Sequence, residues 1–254
     1  MRHAKLAKHR GPRVYVERRL AASTTVELDA GQAHYLRSVL RLGRGAAVAG
    51  FNAADGEWLC RIAQADKRRM SLTVEHQLRV PEPDADLWLL FAPIKRARLD
   101  WLVEKATELG VTTLLPVWTA RTQSERLNLE RLRAHVIEAA EQCERLSVPA
   151  LHPPEALDRV LAAWPTERHL LVCDESGAGE PIANGVRRLT ATPVAFLVGP
   201  EGGFDQTELD ALGKLSFVTR IGLGPRVLRA ETAAIAALAV FQAIAGDWRR
   251  TRTR

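Results

Sequence analysis

The chain has 254 residues, 46% of them hydrophobic and 26% charged, with a formal net charge of +6. This is enough apolar material for a proper core in two small domains or one large one. No run of about 18 apolar residues is present, the basic N-terminus lacks the apolar segment of a secretory signal, and Cys60, Cys143 and Cys173 match neither a disulfide framework nor a metal-ligand spacing. The expectations are therefore no membrane, no metal and a reducing, cytoplasmic setting.

The charge is uneven. Residues 1–79 hold 15 Lys/Arg against 7 Asp/Glu, a balance of +8, while residues 80–254 hold 21 against 23. A basic first part on a near-neutral remainder suggests a polyanion-binding module joined to something else.

Residues 1–11 read as a basic arm (Arg2, Lys5, Lys8, Arg10), and 249–254 as a matching basic tail. From 12 to 78 the pattern is mostly β. Short strands are predicted at Val14–Val16, Thr25–Leu28, Ala46–Ala49, Trp58–Ile62 and Ser71–Val74, with turn residues from Asn52 to Gly56. Strands this short and this closely spaced suggest a small barrel. One helix interrupts them, from about Gly31 to Leu40. It places His34, Arg37 and Arg41 at i, i+3 and i+7, a basic stripe suited to phosphates, with Leu36, Val39 and Leu40 facing the barrel. Residues 79–84, with Pro81 and Pro83, form a linker.

From 85 to 248 strands and helices alternate, which predicts an α/β domain with a mostly parallel sheet. Strands are expected at Leu87–Phe91, Thr113–Val117, Leu170–Cys173, Val194–Val198 and Val218–Leu223, and helices at Arg98–Leu109, Leu129–Glu144, Glu155–Trp164 and Leu228–Ala245. Gly110 fits the C′ position after the first of these helices, and Asp205 with Glu208 forms a capping box. The last helix is apolar nearly all round and is expected to be buried.

Two Gly-Pro loops carry the chemistry. The first reads Val198-Gly199-Pro200-Glu201-Gly202-Gly203-Phe204, and the second Leu223-Gly224-Pro225-Arg226-Val227-Leu228-Arg229-Ala230-Glu231-Thr232. Each follows a predicted strand, where α/β sheets bind ligands. Neither is a phosphate loop or a dinucleotide fingerprint, and no Gly-x-Ser-x-Gly elbow supports hydrolase chemistry. The glycines allow close backbone approach to a ligand. Arg229 near the positive end of a helix dipole is electrostatically misplaced, whereas Glu231 is favoured there, so Arg229 suggests a role beyond folding. Glu138 to Arg145 reads, by pattern alone, as an exposed helix end.

These two loops, with Lys105-Ala106-Thr107-Glu108-Leu109-Gly110-Val111, Glu141-Gln142, Arg145 and Val148-Pro149, resemble the ribosomal RNA small subunit methyltransferase E family of SPOUT enzymes from about Pro12 to Asp247. The resemblance implies a PUA-like β-barrel, then an α/β domain with a deep trefoil knot, and a homodimer. It also implies methylation of N3 of one uridine in 16S rRNA of the assembled small subunit, with S-adenosyl-L-methionine as methyl donor. The cofactor is expected against Cys173, Leu197, Val198, Gly199, Glu201, Gly202, Gly203, Leu223, Gly224, Pro225, Val227 and Leu228. The implied catalytic residues are Arg229, Glu231 and Glu201, with either carboxylate orienting the arginine or taking the uracil proton. His34, Arg37, Arg41, Lys95, Arg121, Gln142 and Arg145 are the candidate RNA contacts. Two departures stand out: the arm before Pro12 is longer than is usual, and Ser147 stands where basic residues often occur. Competing readings are a SPOUT enzyme acting on another RNA, a non-catalytic RNA-binding assembly factor on the same fold, and, least supported, a phosphoryl-transfer enzyme using the glycine loop.

Overall fold

The computed structural model describes residues 11–66, 69–123, 126–189 and 193–249. Nearly all of the basic arm and of the basic tail lies outside the described residues. The chain forms two compact units. One holds the described residues up to Pro83 together with Ala140–Val148, and the other holds Asp84–Ala139 and the described residues from Pro149 onward.

In the first unit a five-stranded sheet runs in the order β1 (Arg13–Tyr15), β3 (Ala47–Asn52), β4 (Gly56–Ala65), β5 (Met70–Arg79), β2 (Thr25–Glu27). It curls around one apolar core that includes Val14, Val26, Val48, Ile62 and Leu72. The β3–β4 hairpin closes at the predicted turn, with Asn52 opposite Gly56. Gly56 has φ +82°, and a Cβ there would stand 2.2 Å from the Arg79 carbonyl, so this turn demands glycine.

Helix α1 (Ala30–His34) starts with a capping box between Asp29 and Gln32. It then widens into a π-helical turn, Tyr35–Val39, closed by the Leu40 amide on the Tyr35 carbonyl. The extra residue in that turn breaks the predicted i, i+3, i+7 stripe. Leu36 is fully buried, but Val39 is 59% exposed rather than facing the core, and Arg41 lies past the helix with φ +55°.

Arg13 organises the rest of this unit. Its guanidinium donates to the carbonyls of Ala140, Glu141 and Arg145 at 2.8–2.9 Å, pairs with Glu57 at 2.5 Å and lies 4.0 Å over the Phe51 ring. A cation at the last carbonyls of a helix satisfies orphan acceptors and opposes the dipole. The helix it caps is α3 (Leu129–Gln142). The Arg79 guanidinium donates to the Glu144 carbonyl, and the Tyr15 amide to the Glu141 carboxylate. These bonds, with Phe51, Ala140 and Leu146 packed together, hold Ala140–Val148 in the first unit, although the linear pattern assigns that stretch to the α/β segment. The predicted exposed helix end is therefore a half-buried anchor.

The second unit is mixed α/β. Its sheet runs β11 (Glu180–Pro181), β13 (Val218–Gly222), β10 (His169–Cys173), β12 (Val194–Val198), β6 (Leu87–Phe91), β7 (Thr113–Trp118), β8 (Ala150–Leu151), with β9 (Glu155–Ala156) also on β7, and every pairing is parallel. Central strands in such a sheet are buried on both faces. On one face Leu170, Val172, Ala195 and Leu197 meet α4 (Leu157–Ala162) and α6 (Gln206–Leu212) through Val160, Leu209 and Leu212. Phe196, on the other face, packs edge-on against Phe241 of α7 (Ala230–Ile244). Helices α2 (Arg96–Glu108) and α5 (Ile182–Arg187) pack against α7. The predicted 155–164 helix gives its first two residues to β9. Helix α5 escaped prediction because Asn184-Gly185 reads as a turn; a Cβ on Gly185 would meet the Ile221 side chain at 2.9 Å, so close packing decides there.

Helix α7 is not buried all round. Ala234, Ala237, Leu238 and Phe241 face the core, whereas Ile235, Ala236, Ala239 and Val240 are half-exposed. Together with the short turn after it, Asp247–Arg249, the helix is long and apolar enough by composition to cross a membrane, which the sequence pattern did not predict. Its buried Glu231 and Gln242, and its packing on α2, α5 and β12, mark it as a core helix.

Replacing Arg13 with Ala removes two helix-end hydrogen bonds and a third to the Arg145 carbonyl, and deprives buried Glu57 of its nearest cation. The expected loss is about 2–4 kcal/mol, read as a lower urea midpoint for the full chain. Arg13→Lys restores only part of it, because lysine lacks the planar fork. An unchanged midpoint for Arg13→Ala would contradict this role.

Candidate active site

The parallel register sets the site. Cys173 pairs with Val198 on one side and Ile221 on the other, and Val198 pairs with Phe91. Four strands therefore end side by side, and their loops leave one edge: 174–179 after β10, 199–204 after β12, 223–229 after β13 and 92–95 after β6. The three segments expected to hold a cofactor are thus neighbours. Leu197 and Val198 turn their side chains into the core and bring only backbone to this edge.

The first Gly-Pro loop turns sharply, with the Gly203 amide on the Pro200 carbonyl at 2.9 Å. Glu201 and Gly202 sit exposed at its tip, while Gly199 and Pro200 are buried. Gly203 has φ +67°, and a Cβ there would lie 1.6 Å from the Glu175 carboxylate. That carboxylate accepts from the Phe204 amide at 3.2 Å, tying the loop after β10 to the loop after β12. Arg121 donates to the Gly202 carbonyl at 2.8 Å, and Glu208 accepts from the Ala120 amide while completing the predicted capping box with Asp205.

Asp174 begins the loop after β10. Its carboxylate is buried and receives Arg220 at 2.7 Å and the Ser176 amide at 2.9 Å. Burial pushes its pKa up, but the bonds from Ser176 and Arg220 outweigh that and hold it below its ordinary value. Cys173 is different: burial, helped by Glu175, pushes its thiol up to about 12, so it stays protonated and is no nucleophile at neutral pH.

The second loop is open. Leu223 and Leu228 are half-buried, Gly224 and Pro225 are exposed, and Val227 is 82% exposed. Gly224 has φ +97°, and nothing lies within 4 Å of where its Cβ would stand. Arg229 is the N-cap of α7 rather than a first-turn residue, and it is exposed. Its guanidinium makes no hydrogen bond or ion pair among the described residues. Glu231 is 8% exposed.

The cation that meets both expected carboxylates is Arg98, not Arg229. Its guanidinium reaches Glu231 at 3.5 Å and Glu201 at 4.0 Å, linking the two Gly-Pro loops through α2. The second Glu231 oxygen is buried without a hydrogen-bond partner among the described residues. The sequence reading passed over Arg98, although a usable signal existed: Lys95, Arg96 and Arg98 crowd a helix start, where the dipole disfavours cations. Lys95, exposed at the N-cap of α2, joins Pro93, Arg96, Arg98, Gln123 and Glu201 around an open cavity of about 420 Å³.

The remaining RNA candidates belong to the first unit. His34 and Arg41 are exposed, and Arg37 donates to the Asp66 carbonyl. Gln142 is exposed at the last residue of α3. The Arg145 guanidinium donates to the Ser147 hydroxyl at 2.7 Å, so the serine standing in place of a basic residue orients one. Both groups flank β1: the Gln32 side chain donates to the Tyr15 carbonyl, and the Tyr15 amide to Glu141.

Residues 81–242 match the family described as an RNA methyltransferase domain, and residues 28–75 match the RNA methyltransferase PUA domain. The ribosomal RNA small subunit methyltransferase E of Rickettsia conorii is 35% identical over 232 residues, covering 89% of this chain and 93% of that protein. The chain belongs to the ribosomal RNA small subunit methyltransferase E family. The Synechocystis member is 30% identical over 226 residues, covering 87% of this chain and 73% of its own length. Among solved structures, the Neisseria gonorrhoeae family member bound to S-adenosyl methionine superposes with a TM-score of 0.83 at 28% identity, over 93% of this chain and 99% of that one. A putative methyltransferase from Legionella pneumophila, in complex with the same cofactor, gives 0.83 at 27% identity, over 92% and 98%.

Because the Asp174 pKa is lower folded than unfolded, the unfolded state binds the proton first as pH falls. Its stabilising contribution is full above its ordinary value of 3.8 and is lost as pH drops through the lowered folded value. Asp174→Asn is therefore expected to flatten the acid limb of a stability-versus-pH curve measured by urea unfolding between about pH 2 and 5. An acid limb as steep as the parent's would show that other carboxylates govern it.

Proposed function

We propose that this family member methylates N3 of one uridine in 16S rRNA of the assembled small ribosomal subunit, with S-adenosyl-L-methionine as donor. The observation that carries the reading is the single sheet edge at which both Gly-Pro loops, Arg229 and the Arg98-linked carboxylates meet. The residues present fit the cofactor. The open backbone at Gly224 and the exposed Val227 suit an adenosyl group, and the buried Glu231 oxygen that lacks a hydrogen-bond donor among the described residues supplies an acceptor. When bound, S-adenosyl-L-methionine supplies an electrophilic methyl group.

Backbone at Cys173, Leu197 to Gly199, Glu201 to Gly203 and Leu223 to Leu228 is assigned to holding it. This explains glycine where a phosphate loop would need lysine. Uracil N3 becomes a good nucleophile only when its imide proton leaves. Arg229, exposed and without a hydrogen-bond or ion-pair partner among the described residues, is assigned to stabilising the resulting charge on the uracil carbonyl oxygens. Of the two carboxylates, Glu201 has 39% of its side chain exposed and only a 4.0 Å contact to Arg98, so it is the one able to take a proton and pass it to water. Glu231, more buried and closer to Arg98, is assigned to positioning that guanidinium. His34, Arg37, Arg41, Lys95, Arg121, Gln142 and Arg145 are assigned to RNA backbone contacts. The target base must be flipped or already single-stranded.

The same reading includes closure of the first sheet into a PUA-like barrel, a trefoil knot in the α/β unit, a cytoplasmic setting and a homodimer. The half-exposed apolar face of α7 (Ile235, Ala236, Ala239, Val240) supports the last of these.

Calorimetry with S-adenosyl-L-methionine is expected to give one site per chain; no binding would favour a non-catalytic assembly factor. Mass spectrometry of rRNA and tRNA from a deletion strain is expected to show loss of one N3-methyluridine in 16S rRNA. Loss from tRNA or 23S rRNA instead would reassign the substrate. Arg229→Ala is expected to lower kcat by about 10²–10³-fold while cofactor affinity holds, and full turnover would sink the arginine's assignment.

A further inference from the structure

A second open cavity, of about 670 Å³, adjoins the one beside Glu201 and shares Ile94 and Arg96 with it. With that wall in common, they border the starts of α2 and α3 as a two-part trough. Its far end has a distinct chemistry. Leu99, Leu127 and Leu129 supply apolar wall, while Arg96, Arg126 and Arg131 supply three guanidinium groups against one lining carboxylate, Glu130.

These features are built rather than incidental. Arg131 is fixed by Asp100 at 3.2 Å, and its backbone amide is capped by the Asn128 side chain. Asp100 also faces His135 at 3.8 Å. Among the described residues, the Arg131 Nε and the facing Asp100 Oδ1 are both buried without a hydrogen-bond partner. Arg96 and Arg126 are exposed, and neither guanidinium has an ion-pair partner among the described residues. Unneutralised guanidinium groups beside apolar wall match a nucleotide: phosphate oxygens take the cations, and a base lies against the leucines. The volume is in the range of a small-ligand site.

We propose that this far end seats the nucleotide next in the strand to the target, so that the trough is a single-stranded RNA track leading to Glu201. The inference rests on the methyltransferase reading above and adds a substrate subsite to it. A track beside the reacting base fixes which strand and which neighbour accompany it, a role that positioning demands in any in-line transfer.

The test uses the full-length enzyme and purified small ribosomal subunits lacking the modification. Arg126→Glu is expected to raise KM for subunits on the order of tenfold and to reduce the salt slope of binding by about one, leaving KM for S-adenosyl-L-methionine and the oligomeric state by light scattering unchanged. Leu127→Trp, which fills the apolar wall, is expected to raise KM for subunits likewise, and Arg126→Lys to restore most of the loss. An unchanged KM and salt slope in both Arg126→Glu and Leu127→Trp overturns the track while leaving the methyltransferase reading intact. A changed oligomeric state overturns it too, since the trough would then be a contact between copies. So would free uridine monophosphate binding the parent at the trough with RNA affinity unmoved by the variants. If the parent enzyme transfers no methyl to these subunits, the underlying reading fails, and the track with it.

Discussion

The in-register parallel pairing of β13, β10, β12 and β6 is the constraint on which the site depends. Cys173, Val198 and Phe91 close their strands level with Ile221, the penultimate residue of β13, so loops far apart in sequence leave the sheet together. Parallel ladders demand this because each strand returns through a crossover to start again at the same edge. The loops then need little structure of their own. They are braced by one another, through Glu175 on the Phe204 amide, and from outside by Arg121 on the Gly202 carbonyl and Arg220 on Asp174. A slip of one residue in β12 would exchange the side chains packed towards α4 and α6 with those packed towards α7. The same burial that stabilises the unit therefore also fixes the geometry of the edge.

Electrostatics at that edge is arranged against local preference. Arg98 and Arg229 both sit at helix starts, where cations are disfavoured, and Glu231 is buried with one oxygen lacking a hydrogen-bond partner among the described residues. Each arrangement costs stability, and their concentration at one sheet edge is what a working site looks like. Arg98 resolves part of the conflict by lying between the carboxylates of both loops. Arg229 is exposed, with no hydrogen-bond or ion-pair partner among the described residues.

The first unit solves a different problem, how to end a helix within a small sheet domain. Arg13 does so by combining the last carbonyls of α3, the Glu57 carboxylate and the Phe51 ring in one guanidinium environment. Arg145, beyond that helix end, is in turn oriented by Ser147. The position that departs from the family's basic pattern thus contributes a hydrogen-bond acceptor to a neighbouring cation.

Much of this was readable in order along the chain. Leu87–Phe91 and Val194–Val198 announce themselves as strands buried on both faces, Asp205 and Glu208 as a capping box, and Gly110, with φ +83°, as a helix stop. These are local signals, set by side-chain periodicity and by backbone groups within four residues. The Gly-Pro loops were equally visible, because glycine pairs and proline restrict the backbone wherever they occur. What tertiary structure alone decided was every choice between distant partners. It made Arg98 rather than Arg229 the cation of Glu201 and Glu231, drew Ala140–Val148 into the first unit, left one face of α7 half-open, and turned Val39 outward through a π-helical turn. Those outcomes depend on which charges and surfaces come within a few ångströms of each other, a quantity that no spacing along one chain contains.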